Sequence, residues 1–323
     1  MKPSCMLLRT AFALLLATAV QILFAQALPQ REIAITIDDL PAAASSMTGS
    51  EINAMTAKLL GTLRDREVPA VGFVNERKLY KFGEVDERIK ALSMWLDYGF
   101  ELGNHTFSHA SLNRVGLEEW KEDVLRGETV TSLLLAQHKM KIRYLRHPYL
   151  ETGRDLQTRR EAEAFLGSRG YRIAPVTMDA WDWMYGGLYE NARTRGDTQM
   201  QQRLVGSYLA YTTEVFDYYE RLSRNLMGYE PRQILLLHMN WLEADHIGEL
   251  LDLLHKRGYR FISLQDALGD RAYSMPDEFV GDDGAGWLER WAITRGQPPQ
   301  DAPAFPQWVR DLYDALPHRP TQP

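Results

Sequence analysis

Five short stretches of this chain lead into residues able to hold a metal ion or move a proton. Thr36-Ile37 runs into Asp38-Asp39. Phe100–Leu102 runs into Gly103-Asn104-His105, with His109 four residues further on. Tyr144-Leu145 is followed by Arg146-His147-Pro148-Tyr149, Val176-Thr177 by Asp179 and Asp182-Trp183, and Ile234–Leu237 by His238. Two imidazoles and a carboxylate make a catalytic divalent-metal site that leaves positions open for water and substrate. A zinc ion there would lower the pKa of bound water from about 15.7 to about 7. His105-x-x-x-His109 alone could also be a pair of turn histidines capping backbone groups; the nearby acidic pair strengthens the metal reading. Successive strand side chains point opposite ways, so one aspartate could ligate while the other takes a proton from metal-bound water. Asp39, just ahead of Leu40-Pro41, could instead cap a helix. Arg146 could clamp the base aspartate as a fixed cation, or sit in a surface ion pair. His238 could serve as a general acid with Asp182 or Asp179 holding its ring, or be a satisfied core histidine. His138, His147, His255 and His318 read as structural or solvent-facing, and His246 stays open.

Chemistry spread over some two hundred residues needs elements to gather it. Glu32–Ile37, Ala70–Val74, Phe100–Leu102, Ile142–Leu145, Tyr171–Thr177, Gln233–Leu237 and Arg260–Leu264 are short apolar runs, mostly β-branched or aromatic, as buried strands are. Between them lie helical patterns: Glu51–Arg66 with Ile52, Met55, Leu59, Leu60 and Leu63 on one face, then Asp86–Tyr98, Leu117–His138 and Ile247–Arg257. Gly99, Gly170 and Gly258 stand where helix C-terminal caps belong. Strand and helix alternate about seven times, which predicts an α/β fold with a parallel sheet, open or closed into a barrel. In such folds the carboxyl ends of the strands carry the site. Residues 189–227 form a polar-aromatic helical stretch without a strand and read as one or two inserted helices, their aromatic stripe packing the helices or, on the other reading, offering a sugar platform. The tail after Asp270, rich in Pro, Asp, Gly and Trp, reads as a surface-wrapping extension with a short helix near Gly286–Thr294.

The amino-terminal thirty residues differ. Lys2 and Arg9 precede an apolar stretch, Ala11–Phe24, and then Ala25-Gln26-Ala27. This is the pattern of a secretory signal with its cleavage site; the other reading is an uncleaved anchor. Cleavage after Ala27 removes Cys5, the one cysteine, so an exported chain would be stabilised by its core alone. It would be periplasmic or secreted, with no stable membrane span left. A net charge of −6 builds no basic stripe and argues against nucleic acid as a partner. The oligomeric state is not legible.

Taken in order, Thr36-Ile37-Asp38-Asp39, His105-Thr106-Phe107-Ser108-His109, Arg146-His147-Pro148-Tyr149, Asp179-Ala180-Trp181-Asp182-Trp183 and Leu236-Leu237-His238 resemble the five motifs of the NodB-homology polysaccharide deacetylases, carbohydrate esterase family 4. The resemblance spans about Glu32 to Asp270. It implies a distorted (β/α) barrel with fewer than eight strands, about seven on the pattern above, over 31–270; the leader and tail patterns add a signal peptide at 1–27 and a carboxyl-terminal extension at 271–323. It implies one divalent ion, zinc or similar, on Asp39, His105 and His109. It further implies Asp38 as base, Arg146 orienting it, His238 as acid and Asp182 tuning His238, with Tyr149 at the oxyanion and Trp183 and Leu236 around the acetyl group. The expected substrate is an acetylated carbohydrate. Ile37 stands where phenylalanine is usual, Met239-Asn240 follows His238 where aspartate is common, and Phe73-Val74-Asn75-Glu76 lacks the usual glycine. Two rivals follow: an amidohydrolase acting on a small non-sugar amide, and a silent carbohydrate-binding domain.

Overall fold

The structure, a computed structural model, describes residues 31–316. The signal-peptide expectation at 1–27 lies outside the described residues. The elements in chain order are β1 (Arg31–Leu40), α1 (Gly49–Asp65), β2 (Ala70–Val74), α2 (Val85–Asp97), β3 (Glu101–Asn104), α3 (Leu112–Val115), α4 (Leu117–Arg126), α5 (Thr129–Gln137) and β4 (Tyr144–Leu145). They continue with α6 (Leu156–Ser168), β5 (Arg172–Ile173), β6 (Met178–Asp179), α7 (Asp182–Thr194), α8 (Thr198–Met227), β7 (Gln233–His238), α9 (Trp241–Lys256), β8 (Tyr259–Phe261), α10 (Leu264–Ala267), α11 (Trp287–Thr294) and α12 (Gln307–Asp314).

Every strand pair is parallel. The sheet runs β5-β4-β3-β2-β1-β7-β6, and β8 pairs with the first residues of β1. Seven strands therefore curl into a partial barrel, as expected. Among the described residues no pairing joins β5 to β6, so a seam stays open between the end strands. The single strand expected at Tyr171–Thr177 is instead two. Pro175 lies between them, lacks an N–H and cannot continue a ladder.

Local sequence explains the helices. Thr48 and Glu51 form a capping box at the start of α1, whose Ile52, Met55, Leu59, Leu60 and Leu63 are buried. Fully burying each such side chain is worth about 1.5–3 kcal/mol. Asp197 caps α8 and Gly228 ends it at φ 75°. The helix expected over Leu117–His138 is broken at Gly127-Glu128 into α4 and α5, because Glu76 from the turn after β2 accepts from Val130 N and Thr131 N and so caps a fresh helix. The helix after β7 starts at Trp241 rather than Ile247, since Asn240 accepts from Glu243 N. Helix α6 ends just before Gly170, as the cap position implied, whereas α12 was not anticipated. The main core lies between the sheet and its helices and takes in Trp287, Trp291, Val309 and Tyr313 from the tail.

Candidate active site

The bend in β1 puts both acidic residues into one place. Between Ile37 and Leu40 the register with β2 slips by one residue, and Asp39 adopts φ 69°. Strict alternation would aim the two side chains to opposite faces; the bulge overrides it. Asp38 Oδ2 then lies 3.6 Å from His105 Nε2, and Asp39 Oδ1 lies 3.9 Å from His109 Nε2. Asp39 caps no helix: the N-cap of α1 is Thr48.

His105 and His109 sit on the turn that follows β3, where Thr106 and His109 both have positive φ. That turn is held from three sides. Asn75 Nδ2 donates to His105 O at 2.6 Å, Asn104 Oδ1 accepts from Thr106 N at 2.7 Å, and Asp123 on α4 accepts from Ser108 N at 2.8 Å. Gly127 allows α4 to approach, since a β-carbon there would lie 2.6 Å from Phe107 N. His105 Nδ1 pairs with Arg146 O at 2.8 Å, which makes Nδ1 the donor and leaves the Nε2 lone pair facing Asp38. His109 Nε2 is buried with no hydrogen-bond partner. Burial, above all, pushes His105 well below the usual histidine range and His109 down to about 4, so both imidazoles are neutral ligands at pH 7. One donor atom from each of Asp39, His105 and His109 lies within 4.8 Å of the others. A buried, unpartnered imidazole nitrogen beside an ionised carboxylate fits a divalent cation. Burial opposes the charge on Asp39, but Lys78, His109 and His105 around it outweigh burial and hold it below the usual carboxylate range.

Arg146 is fully buried rather than on the surface. Its Nη1 lies 3.2 Å from Asp38 Oδ2, its Nε donates to Ala174 O at 2.7 Å and its Nη2 to Thr36 Oγ1 at 2.8 Å. Burial pushes Asp38 up to about 6, with Arg146 and His238 opposing it. It can therefore hold or release a proton near neutrality.

His238 ends β7 beside Asp38, its pairing partner across the sheet. Its Nδ1 meets Asp182 Oδ1 at 2.7 Å, and its backbone N–H donates to Asp182 Oδ2 at 2.8 Å. Of the two aspartates considered, Asp182 holds the ring; Asp179 accepts from Trp181 N instead. Asn240 Nδ2 donates to Asp182 Oδ2 at 3.0 Å, so the departure after His238 adds a brace. Burial opposes protonation of His238, but Asp182 more than reverses it and the imidazole rises to about 9. It carries its proton at pH 7.

These groups open into a cleft of about 480 Å³ lined also by Tyr149, Trp183, Leu236, Trp181 and Tyr219, a volume typical of small-molecule sites. Tyr149 packs its ring on His109 at 4.5 Å and has φ 58°. Of the ten residues singled out from the sequence, Asp38, His105, His109, Tyr149, Trp183, Leu236 and His238 line this cleft, while Asp39, Arg146 and Asp182 lie behind it against His109, Asp38 and His238. His147, taken as bland, also lines the cleft, stacked on Trp120 at 5.1 Å and 2°. His246 lies elsewhere, on Tyr189. Sequence reasoning missed Lys78, whose Nζ lies 2.8 Å from Asp39 Oδ1; nothing in a lone lysine after β2 marks it out. It also missed Asn75 and Asp123, which hold the histidine turn, and the tail residues 283–286 and Glu289, which line the cleft.

Residues 25–169 match the polysaccharide deacetylase family. This stretch, a little under half of the chain, is similar to that family. It holds the motifs of Asp38-Asp39, His105–His109 and Arg146–Tyr149; Asp182 and His238 lie beyond it. A peptidoglycan-N-acetylglucosamine deacetylase of Bacillus cereus is 25% identical over 152 residues, 47% of this chain and 46% of that protein. The chain thus spans about half the length of that curated relative. Among solved structures, a mutant of a family 4 pseudoenzyme, the wild type being from Bacillus anthracis, is 17% identical with a TM-score of 0.50 over 74% of this chain and 68% of its own. A family 4 carbohydrate esterase from Streptomyces lividans, in complex with acetate, is 19% identical with a TM-score of 0.47 over 73% and 95%. The likeness to these solved structures is one of fold.

Proposed function

We propose that this chain is a metal-dependent hydrolase that removes acetyl groups from N- or O-acetylated carbohydrate, with peptidoglycan or chitooligosaccharide as the substrate class. The observation that carries this reading is the placing of two opposed proton carriers, Asp38 and His238, at the mouth of one cleft beside the Asp39, His105 and His109 cluster. The family match and the Bacillus cereus relative point the same way.

Asp39, His105 and His109 would hold the cation, zinc being suited to two imidazoles and one carboxylate. Bound there, it would supply Lewis-acid activation of water and of the acetyl carbonyl. Asp38, kept oriented by Arg146, takes the proton of the attacking water. His238, held by Asp182 and protonated at pH 7, gives its proton to the departing amine or alkoxide nitrogen or oxygen. The rotamer and tautomer of His238 are set because Nδ1 is committed to Asp182, so Nε2 is the donor. Tyr149, which lines the cleft, would offer its backbone N–H to the developing oxyanion. Trp183 and Leu236 form the apolar lining for the acetyl methyl.

The silent-domain reading is disfavoured because base, clamp, acid and acid-holder are all hydrogen-bonded in place. A small-amide substrate remains the rival within enzymes, and a panel of chitooligosaccharides, acetylated peptidoglycan fragments and simple amides separates them. The assignment predicts that Asp38→Asn, Asp39→Asn and His238→Ala each abolish most turnover of acetylated sugars in the metal-loaded protein. Unchanged turnover in all three would end it. The amino-terminal leader pattern supports export to the periplasm or medium, where such glycans lie.

A further inference from the structure

The open seam between β5 and β6 is not left bare. The tail crosses it at the same rim that carries the site. Asn113 Nδ2 donates to Gly281 O and to Asp282 O, both at 3.0 Å. The chain then passes against the Pro148–Leu150 turn so closely that a β-carbon on Gly284 would collide with Tyr149 O and lie 2.5 Å from Leu150 C. It reaches the far side of the seam where Trp287 N donates to Val176 O at 2.6 Å. Asp283, Gly284, Ala285, Gly286 and Glu289 line the cleft itself.

This crossing is anchored, not draped. Arg290 is fully buried; its Nε lies 2.9 Å from Asp277 Oδ2 and its Nη2 donates to Thr152 Oγ1 at 2.8 Å. Arg159 Nη2 meets the same Asp277 oxygen at 2.9 Å, and the Arg290 guanidinium stacks 4.2 Å over Trp287. A segment fixed at both ends by buried charge and by backbone pairing is a wall.

We infer that the tail segment 281–289 closes the cleft on its seam side, so that the site takes the end of an acetylated sugar chain rather than a ring in the middle of a polymer. This rests on the deacetylase reading above. A mid-chain ring needs an exit on each side of the reacting acetyl group, and one side is occupied by the backbone at Gly284–Gly286. Where the segment passes against the Tyr149 turn it is Gly284, which leaves no side chain between the two backbones.

The test uses the full, zinc-loaded chain and N-acetylglucosamine trimers to hexamers marked at the reducing end with heavy oxygen. Tandem mass spectrometry locates the freed amine. The expected result is loss of acetyl from one terminal ring at every length, with kcat/KM constant within about twofold from trimer to hexamer. Asn113→Ala removes both donors that tie Gly281 and Asp282, and interior rings then lose acetyl as about a tenth or more of the product. Interior deacetylation by the wild type, or kcat/KM climbing about tenfold with length, overturns the wall while leaving the deacetylase reading intact. Terminal selectivity unchanged in both Asn113→Ala and a folded Asn113→Ala/Trp287→Ala chain also overturns it. No acetyl released from any oligomer sinks the deacetylase reading and the wall with it.

Discussion

His238 and Asp38 face each other across one pair of strand ends with opposite protonation states at pH 7, and that contrast comes from their immediate partners. Asp182 raises the imidazole to about 9 against burial, and burial raises the carboxyl to about 6 against Arg146. Asp38→Asn should lower kcat about 10²- to 10⁴-fold while leaving zinc content unchanged, measured by turnover and elemental analysis on the same sample. Asp182→Asn removes the anion that raises His238, so the alkaline limb of the kcat profile, near pH 9 in the wild type, should move toward acid. The same pair makes a stability prediction. Because the folded protein holds His238 above the ordinary histidine value of about 6.5, its contribution is fully present below about pH 6.5 and is lost as pH rises through about 9. Urea unfolding across that window should show the wild type losing stability and Asp182→Asn losing less. His109→Ala deletes the buried nitrogen that lacks a protein partner. It should weaken zinc affinity by an order of magnitude or more, measured by competition with a chelator.

At the scale of elements, the two carboxylates and His238 come from strand ends, but the histidine pair depends on a turn. The β3 strand stops at Asn104, and the two histidines ride on a turn with two left-handed residues. Such backbone costs about 1–3 kcal/mol per residue and persists only where its surroundings hold it. Helix α4 does that holding, through Asp123 and through the close pass at Gly127. Gly127→Ala places a β-carbon 2.6 Å from Phe107 N and 2.7 Å from Thr106 C, backbone atoms that cannot swing aside. The expected outcome is a destabilisation of about 1–3 kcal/mol together with weaker zinc binding, read by thermal melting with and without metal. A melt that shifts while zinc affinity stays constant would mean that the turn tolerates the push.

For the molecule as a whole, the tail belongs to the core. Trp287, Trp291 and Val309 are buried in the main cluster, and Asp277 neutralises two buried guanidinium groups at once. Asp277→Ala would leave Arg290 charged and unpaired in the interior, a change worth about 3–5 kcal/mol. Urea midpoints should fall accordingly, and the tail should become the first site of limited proteolysis.

What the linear chain determined was the set of chemical groups and the kind of scaffold. Short β-branched runs ending in Asp, His and Arg can be seen without coordinates, because strand length, helix period and residue type are local properties. The split at Pro175 was also local, and readable from the missing N–H. Only the tertiary structure decided which aspartate meets which partner, because a bulge reversed the facing of Asp39. It likewise decided that Lys78 sits against that carboxylate and that Arg146 is buried. The same holds for the tail, whose wall spans a seam between strands more than a hundred residues before it in the chain. Contacts between distant segments come from packing, and no periodicity in the sequence encodes them.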